Sequence, residues 1–482
     1  MTALHLALLL LPLASCWLGR KLTRKRAVAL TLGLLVGSLA LGFSGSPQAL
    51  LWGGLEILWL DELNRWLLAY ACLIYLAIFM AAPRTQIGPL WSRNLMLSLT
   101  FDLWFFSQRQ PLPLALLWVL SHAGLWAELQ PRFRAGQLSR LRRILILFLG
   151  SSCLAFGLGA LGLRGTTPGW ALAALTLGIA LRKAMVPFHS WLPELFEKGP
   201  LGHVIAFCAP QLGAYATVRL LADKASAELL AVLGAFALVT ALHGACLAFG
   251  QNRFRGVYAG LFMGQTSLVF AGLQCANLPS LVGGLTVWLS GGLALTGLGL
   301  CVWALLARRG SMDLNRYHGG YERSPLLATS FLVFGLAACG FPGTLGFLGQ
   351  DMLLQGTTQE YPHIGILTAV VTALNGITLM RTYFRLFCGC PRSEELSQSL
   401  RLRERLALTL LLLCLLGLGL APLPLLTSRQ QAGRELLRLR ESLPTDRDHR
   451  ARRWFPLGWA ESRSEEAPPW AQAPRSWTPT KP

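Results

Sequence analysis

The chain has 482 residues, of which 53% are hydrophobic and only 14% charged, a composition that excludes an ordinary soluble domain. Apolar runs near 20 residues recur along the whole length, each long enough to cross ~30 Å of hydrocarbon, and the period-2 alternation of a β-barrel is missing. The formal charge of +20 first suggests nucleic acid, but the arginines cluster in short loops between apolar runs, where they set membrane orientation, so no nucleic-acid partner is assigned.

The expected fold is therefore an all-α polytopic membrane protein with about 14 transmembrane helices by window and length criteria. In chain order the spans are 2–19, 27–43, 62–82, 90–107, 112–129, 143–163, 169–198 (broken), 201–222, 227–249, 255–276, 281–307, 325–356 (broken), 361–388 and 404–426. The stretch around Cys16 faintly resembles a lipoprotein cleavage box, yet no lysine or arginine precedes it. Residues 2–19 are accordingly read as a retained helix. Loops after odd-numbered spans hold most of the arginines and loops after even-numbered spans hold Glu56, Asp61, Asp223, Glu228 and Glu360. The positive-inside rule places the odd loops in the cytoplasm. The basic tail contradicts this: Arg429, Arg434, Arg438 and Arg440 would lie on the opposite side. Either one span is miscounted or the tail crosses with its charge. Arg429–Leu443 has leucines and arginines at helical spacing and reads as a surface helix, and beyond Pro444 the composition favours disorder.

Span 169–198 carries Arg182, Lys183, Pro187, His189 and Pro193 in its middle. A charge at the centre of a membrane helix costs roughly 2.5–3.5 kcal/mol on insertion scales. Pro187 and Pro193 each remove a backbone donor and should break the helix. A break beside a buried cation is a common pattern for an ion pathway, and snorkelling to the headgroups is the alternative. Because helical neighbours are about 100° apart, Arg182 or Lys183, not both, is expected to point into the bundle. Pro342 interrupts span 325–356 as Pro187 interrupts the earlier one. Paired breaks suggest inverted repeats with the transport site near them.

Residues 182–194 (RKAMVPFHSWLPE), then Gly199-Pro200, Gly213, Tyr215 and Arg219, resemble a signature of the antiporter-like membrane subunits of respiratory complex I and Mrp-type cation/proton antiporters. Its pattern is K-S-A-Q-x-P-F-H-x-W-L-P-D, then G-P-T-P, G-x-Y and an arginine. In the second half Asp313, Gly319-Gly320, Pro325, Gly340, Pro342, Gly343, Gly346-Phe347 and Asp351 resemble the matching pattern, and Val257, Ala259 and Gln265 keep pieces of a further helix. The resemblance covers about residues 90–390. It implies two five-helix repeats, and it divides the chain into N-terminal helices (1–89), a first repeat (90–222), a second (223–390), a C-terminal helix (391–426) and a basic tail (427–482). It implies a proton-conducting subunit that works with other membrane subunits, in a bacterial inner membrane, on protons or Na⁺.

The proton-pathway candidates are Arg182, Lys183, His189, His203, His243 and Asp351, with Asp102, His122 and Glu128 also in or near spans. The sequence departs from the family at several of these places. The family lysine falls on Arg182, and the family Trp-Glu pair reads Trp118-Val119, with Glu128 a displaced candidate. The histidine of the eighth span is lost near Cys208, a later lysine is Gly291, and Gln350 replaces the lysine before Asp351. Two other readings stay open. One is a membrane subunit of an inorganic-carbon uptake complex, paired with a soluble carbonic-anhydrase-like partner. The other is a non-conducting membrane scaffold. The eleven cysteines lie mostly within apolar runs, and Cys388 and Cys390 lack the second pair that zinc needs. No GxGxxG motif or cysteine cluster appears, so no cofactor or metal is assigned and any redox chemistry belongs to partners.

Overall fold

The computed structural model describes residues 2–18, 22–44, 48–52, 55–163, 167–310, 312–389 and 399–441. The Pro/Trp-rich tail beyond 441, Arg20, Lys21 and Cys390 fall outside them. The first helices are α1 (Thr2–Leu18), α2 (Arg24–Phe43), α3 (Arg65–Ala81), α4 (Trp91–Phe106), α5 (Pro111–Leu120), α6 (Ala123–Arg134), α7 (Ser139–Gly162) and α8 (Gly169–Lys183). Then come the short α9 (Trp191–Lys198), α10 (Leu201–Cys208) and α11 (Leu212–Ala216). They are followed by α12 (Ala227–Gly250), α13 (Phe254–Gln274), α14 (Leu278–Arg309), α15 (Pro325–Ala338) and α16 (Leu345–Glu360). Last are α17 (Pro362–Phe387), α18 (Leu402–Leu420) and α19 (Leu423–Glu441). By length and apolarity eight of the described helical stretches can cross a membrane, or nine if the pair α18 and α19, bent by 73°, is one span.

Local chemistry sets many of these boundaries. Ser226, Asn277 and Thr344 accept hydrogen bonds from the first-turn amides of α12, α14 and α16. The all-α expectation missed an antiparallel hairpin, β1 (Gln48–Trp52) with β2 (Leu55–Leu60). Its residues are as apolar as the neighbouring helices, and hydropathy alone does not distinguish the two.

Both expected breaks are present. The first separates α8 from α9: Ala184 turns left-handed (φ 58°) and Pro187 lies in the gap. Pro193 corrects the expectation, because it sits in the first turn of α9. There its missing N–H is one that no helix bond uses, so it starts a half-helix instead of breaking one. The second gap, between α15 and α16, holds Pro342 between Gly340 and Gly343, both with positive φ. A further interruption was not expected. Gln211 adopts φ 55° between α10 and α11, and residues Thr217–Leu221 continue as one π turn carrying Arg219.

Helices α12 and α13 approach so closely that a Cβ on Gly244 would lie 2.6 Å from the Gly264 amide nitrogen. Backbone cannot give way as a side chain would. Gly244→Ala is expected to cost about 1–3 kcal/mol, read as a lowered thermal midpoint in detergent.

The helix ends sort into two faces. Arg308 at the end of α14 pairs with Glu404 at the start of α18, and Arg381 bonds the Phe249 carbonyl and Asn252. This is the arginine-rich face. On the other face Arg219 makes a bidentate pair with Asp61 (2.6 and 2.8 Å), and Tyr215 donates to the Phe106 and Gln108 carbonyls (2.8 Å each). Arg219 of the sequence signature thus holds the Asp61 loop, and Tyr215 holds the end of α4 beside it. Helix α19 lies on this second face. Fully buried Arg429 bonds the Glu62 and Leu63 carbonyls (2.6 and 3.1 Å), and Arg440 bonds those of Leu273 and Cys275 (2.6 Å each). The basic tail helix therefore sits opposite the arginine-rich loops, and two of its arginines, Arg429 and Arg440, are bound to carbonyls while Arg434 and Arg438 stay exposed.

Candidate functional site

The last turn of α8 projects two cations in different directions. Arg182, 8% exposed, donates to Ser121 Oγ (2.7 Å) and the Trp118 carbonyl (3.3 Å) and contacts both ring nitrogens of His122 (3.3 and 3.2 Å). Its guanidinium lies over the rings of Trp118 (4.7 Å) and Phe207 (4.5 Å). Lys183 donates to Thr266 on α13. The expectation that only one of the two would face inward is corrected. The 100° between them points Arg182 at α5 and Lys183 at α13, because protein packs on both sides of α8.

Carboxylates approach from α4 and α6. Asp102, 3% exposed, accepts from Tyr75 (2.7 Å), and it is the carboxylate whose charge bears on Arg182. Nearer the arginine-rich face, Asn94 donates to Glu128 (2.9 Å), and His203 Nε2 lies 3.9 Å from the same carboxylate. Asn94, Ser98 and Asp102 are spaced by four on α4, so one helix face links the two carboxylates.

Behind the cations, a cavity of about 40 Å³ is lined by Arg182, Lys183, Cys208, Gln211 and Phe262, among others. That volume holds a few waters. Gln211 is 6% exposed, and neither its amide oxygen nor its nitrogen has a protein partner. Beyond Lys183 the polar line continues along α13. Gln265, beside Thr266, accepts from Gln350 of α16 (3.2 Å), which also donates to the Ala338 carbonyl (2.8 Å). Asn375 of α17 is fully buried, with both amide atoms unpartnered. More than nine buried polar groups in ten are normally paired, and the side-chain amides of Gln211 and Asn375 are among the exceptions.

The structure distributes the candidates of the sequence as follows. Arg182, Lys183 and His203 lie on or beside this line. His189, in the first gap, and His243 of α12 form a separate pair with Nε2 atoms 3.1 Å apart. One must donate and the other accept, so the pair shares a proton. No hydrogen bond among the described residues joins it to Arg182 or Lys183. Asp351 is half-buried and bonded to Gln355 one turn on (3.1 Å), while its neighbour Gln350 faces the line. Tyr75, Ser121, Thr266, Gln211 and Asn375 were missed: single polar residues in apolar helices carry no spacing signal.

The fold defines an integral multi-pass membrane protein with a line of buried polar and charged groups at its core. Residues 138–376 match the family described as "NADH:quinone oxidoreductase/Mrp antiporter, TM". Similar curated proteins include NADH-quinone oxidoreductase subunit 13 of Thermus thermophilus, 30% identical over 45% of this chain and 48% of that protein. Another is NAD(P)H-quinone oxidoreductase subunit 2 of Synechococcus sp., 31% identical over 42% and 39%. The chain thus spans half or less of the length of these relatives in the matched stretch. Among solved structures, respiratory complex I from Thermus thermophilus contains a chain of similar fold (TM-score 0.80, 21% identity, covering 91% of this chain and 100% of that one). So does the Mrp complex from Dietzia sp. (TM-score 0.79, 17% identity, 91% and 98%).

Proposed function

We propose that this chain conducts protons across the membrane as one subunit of a multi-subunit complex of the complex I or Mrp type, in a bacterial inner membrane. Under this reading it has about 14 spans, with residues 90–222 and 223–390 as inverted repeats. The observation that carries the reading is the buried line from Glu128 and His203 through Asp102, Arg182 and Lys183 to Gln265 and Gln350. A scaffold has no use for a buried guanidinium and a half-buried ammonium side by side at a helix break, where desolvating a charge costs several kcal/mol.

The roles divide by chemistry. Arg182 stays charged under all conditions and supplies a fixed field. Lys183 is an amine that gains and loses a proton readily when buried, so it is the carrier. The Gln211 cavity, filled with water, joins its amine to the rest of the line. Asp351, next to Gln350, is the proposed proton acceptor at the far end. A driving reaction, where one exists, belongs to partner subunits.

The test is dissipation of a pH gradient in vesicles holding the full chain with its native partners. Lys183→Met is expected to lower flux at least tenfold, and Asp351→Asn to lower it severalfold, each at normal protein abundance. A dependence of flux on Na⁺ would identify exchange of Na⁺ for protons. Wild-type flux through Lys183→Met would overturn the reading and leave a membrane scaffold.

A further inference from the structure

On the arginine-rich face a pocket of about 610 Å³ opens between the ends of several helices. Arg132 at the end of α6, Lys198 at the end of α9 and Arg255 in the first turn of α13 line it, and none of the lining residues is acidic. Two indoles, Trp91 and Trp303, also line it, and Trp303 donates to Gln86 at the rim. Nearby carboxylates offset only part of the charge. Glu194 bonds Lys198 (2.9 Å) and lies 3.6 Å from Arg140, and Glu128 stands near Arg132. The Phe196, Glu197 and Gly199 carbonyls hold the Arg255 guanidinium in place (3.2, 2.6 and 3.3 Å). Arg132 has no such anchor among the described residues. The lining segment from Lys198 to Leu201 leads into α10, whose N-cap is Pro200 and whose first-turn amides have no side-chain cap. That end carries partial positive charge.

We propose that this pocket binds a phosphate ester, supplied by the headgroup of an anionic phospholipid. The chemistry follows from the lining. Guanidinium forks match phosphate oxygens in pairs, and an ammonium adds a point charge. Indoles are characteristic of headgroup depth, and the face is the one the positive-inside rule assigns to the cytoplasm. A basic recess between helices on that side takes the headgroup, while the acyl chains lie along the apolar helices beside it. The volume exceeds what one phosphate needs and accommodates a glycerol diester. The pocket adjoins the Glu128–His203 end of the proton line, and its binding of an anion does not depend on that line conducting.

The experiment places the full chain in nanodiscs of phosphatidylglycerol mixed into phosphatidylcholine and weighs the lipid retained per protein copy after detergent extraction. Arg132→Gln/Lys198→Gln should hold phosphatidylglycerol roughly 30-fold more weakly, at about fivefold per cation. Arg142→Gln, an exposed arginine of α7 outside the pocket, should retain it as the wild type does. Arg132→Lys should keep most of the retention, and an unchanged elution profile shows that the double variant is folded. A second arm adds inorganic phosphate to protein in phosphatidylcholine alone and reads the thermal midpoint. Stabilisation by phosphate that the double variant loses, without any lipid difference, would keep the anion site but overturn the lipid as its source. Equal lipid retention and equal phosphate response in wild type and double variant would overturn the proposal.

Discussion

Asp102→Asn is expected to destabilise the folded chain by about 1–3 kcal/mol and to lower proton flux at least tenfold. Asp102 and Arg182 are opposite buried charges without a direct ion pair, so removing the carboxylate takes away a counter-charge of the guanidinium at a distance. Arg182 cannot escape by losing its proton, unlike a lysine. The amide keeps the shape and still accepts from Tyr75, so packing is preserved and charge alone changes. The double variant Arg182→Gln/Asp102→Asn removes both charges. It is expected to recover most of the stability, since replacing a whole buried pair is often neutral, but to recover no flux. Chemical denaturation of the four proteins in detergent gives the coupling energy of the pair. A double variant as unstable as Asp102→Asn would mean that the two residues act independently. Recovered flux would remove Arg182 from the conduction path.

The second large effect is expected at Arg219. Arg219→Leu should cost about 3–5 kcal/mol, because Asp61, 6% exposed, then stands as an unpaired charge. In the intact protein burial by itself would raise the Asp61 carboxyl, but the Arg219 guanidinium and the bonds from Trp59 and Asn64 more than reverse this and hold it at about 2. A depressed folded value means a stabilising contribution that is full above the ordinary value of 3.8 and fades as pH falls towards 2. Wild-type stability should therefore fall by roughly 2 kcal/mol between pH 5 and pH 2 from this group. In Arg219→Leu the bonds from Trp59, Leu63 and Asn64 remain to oppose burial, so the downward slope from Asp61 should flatten. Thermal midpoints across that window measure both. The same downward slope in Arg219→Leu as in the wild type would show that Asp61 is held by something else.

The signature residues had different legibility. Arg182, Lys183, Pro187 and Pro342 stood out because each violates what an apolar helix tolerates, and all four lie at or beside the breaks. Glu128 was visible only as a carboxylate displaced by several residues from the family position. Its meeting with His203 joins residues 75 positions apart, which no local pattern encodes. Asp102 could be seen, but as one acid in a span without a partner. Tyr215 and Arg219 were recognisable as a pattern, yet what they hold, the end of α4 and the Asp61 loop, needed contacts more than 100 residues apart in sequence. Pro193 was misread because a proline's effect depends on where the helix starts, and sequence places helix ends only to within a few residues.

The sequence by itself determined that the chain spans a membrane repeatedly, where two helices break, which loops carry the orienting charge, and which family the breaks resemble. These follow from length, hydropathy and backbone chemistry, all local along the chain. Only the tertiary structure decided that Arg182 and Lys183 both face inward, that Gln211 and Asn375 are buried without partners, and that His189 pairs with His243 away from the main line. It also decided the side of the tail helix, by seating Arg429 and Arg440 on carbonyls of the face opposite the arginine-rich loops. The physical reason is the same in each case. Whether a buried polar group is satisfied, and by which neighbour, depends on groups that folding brings together from distant parts of the chain.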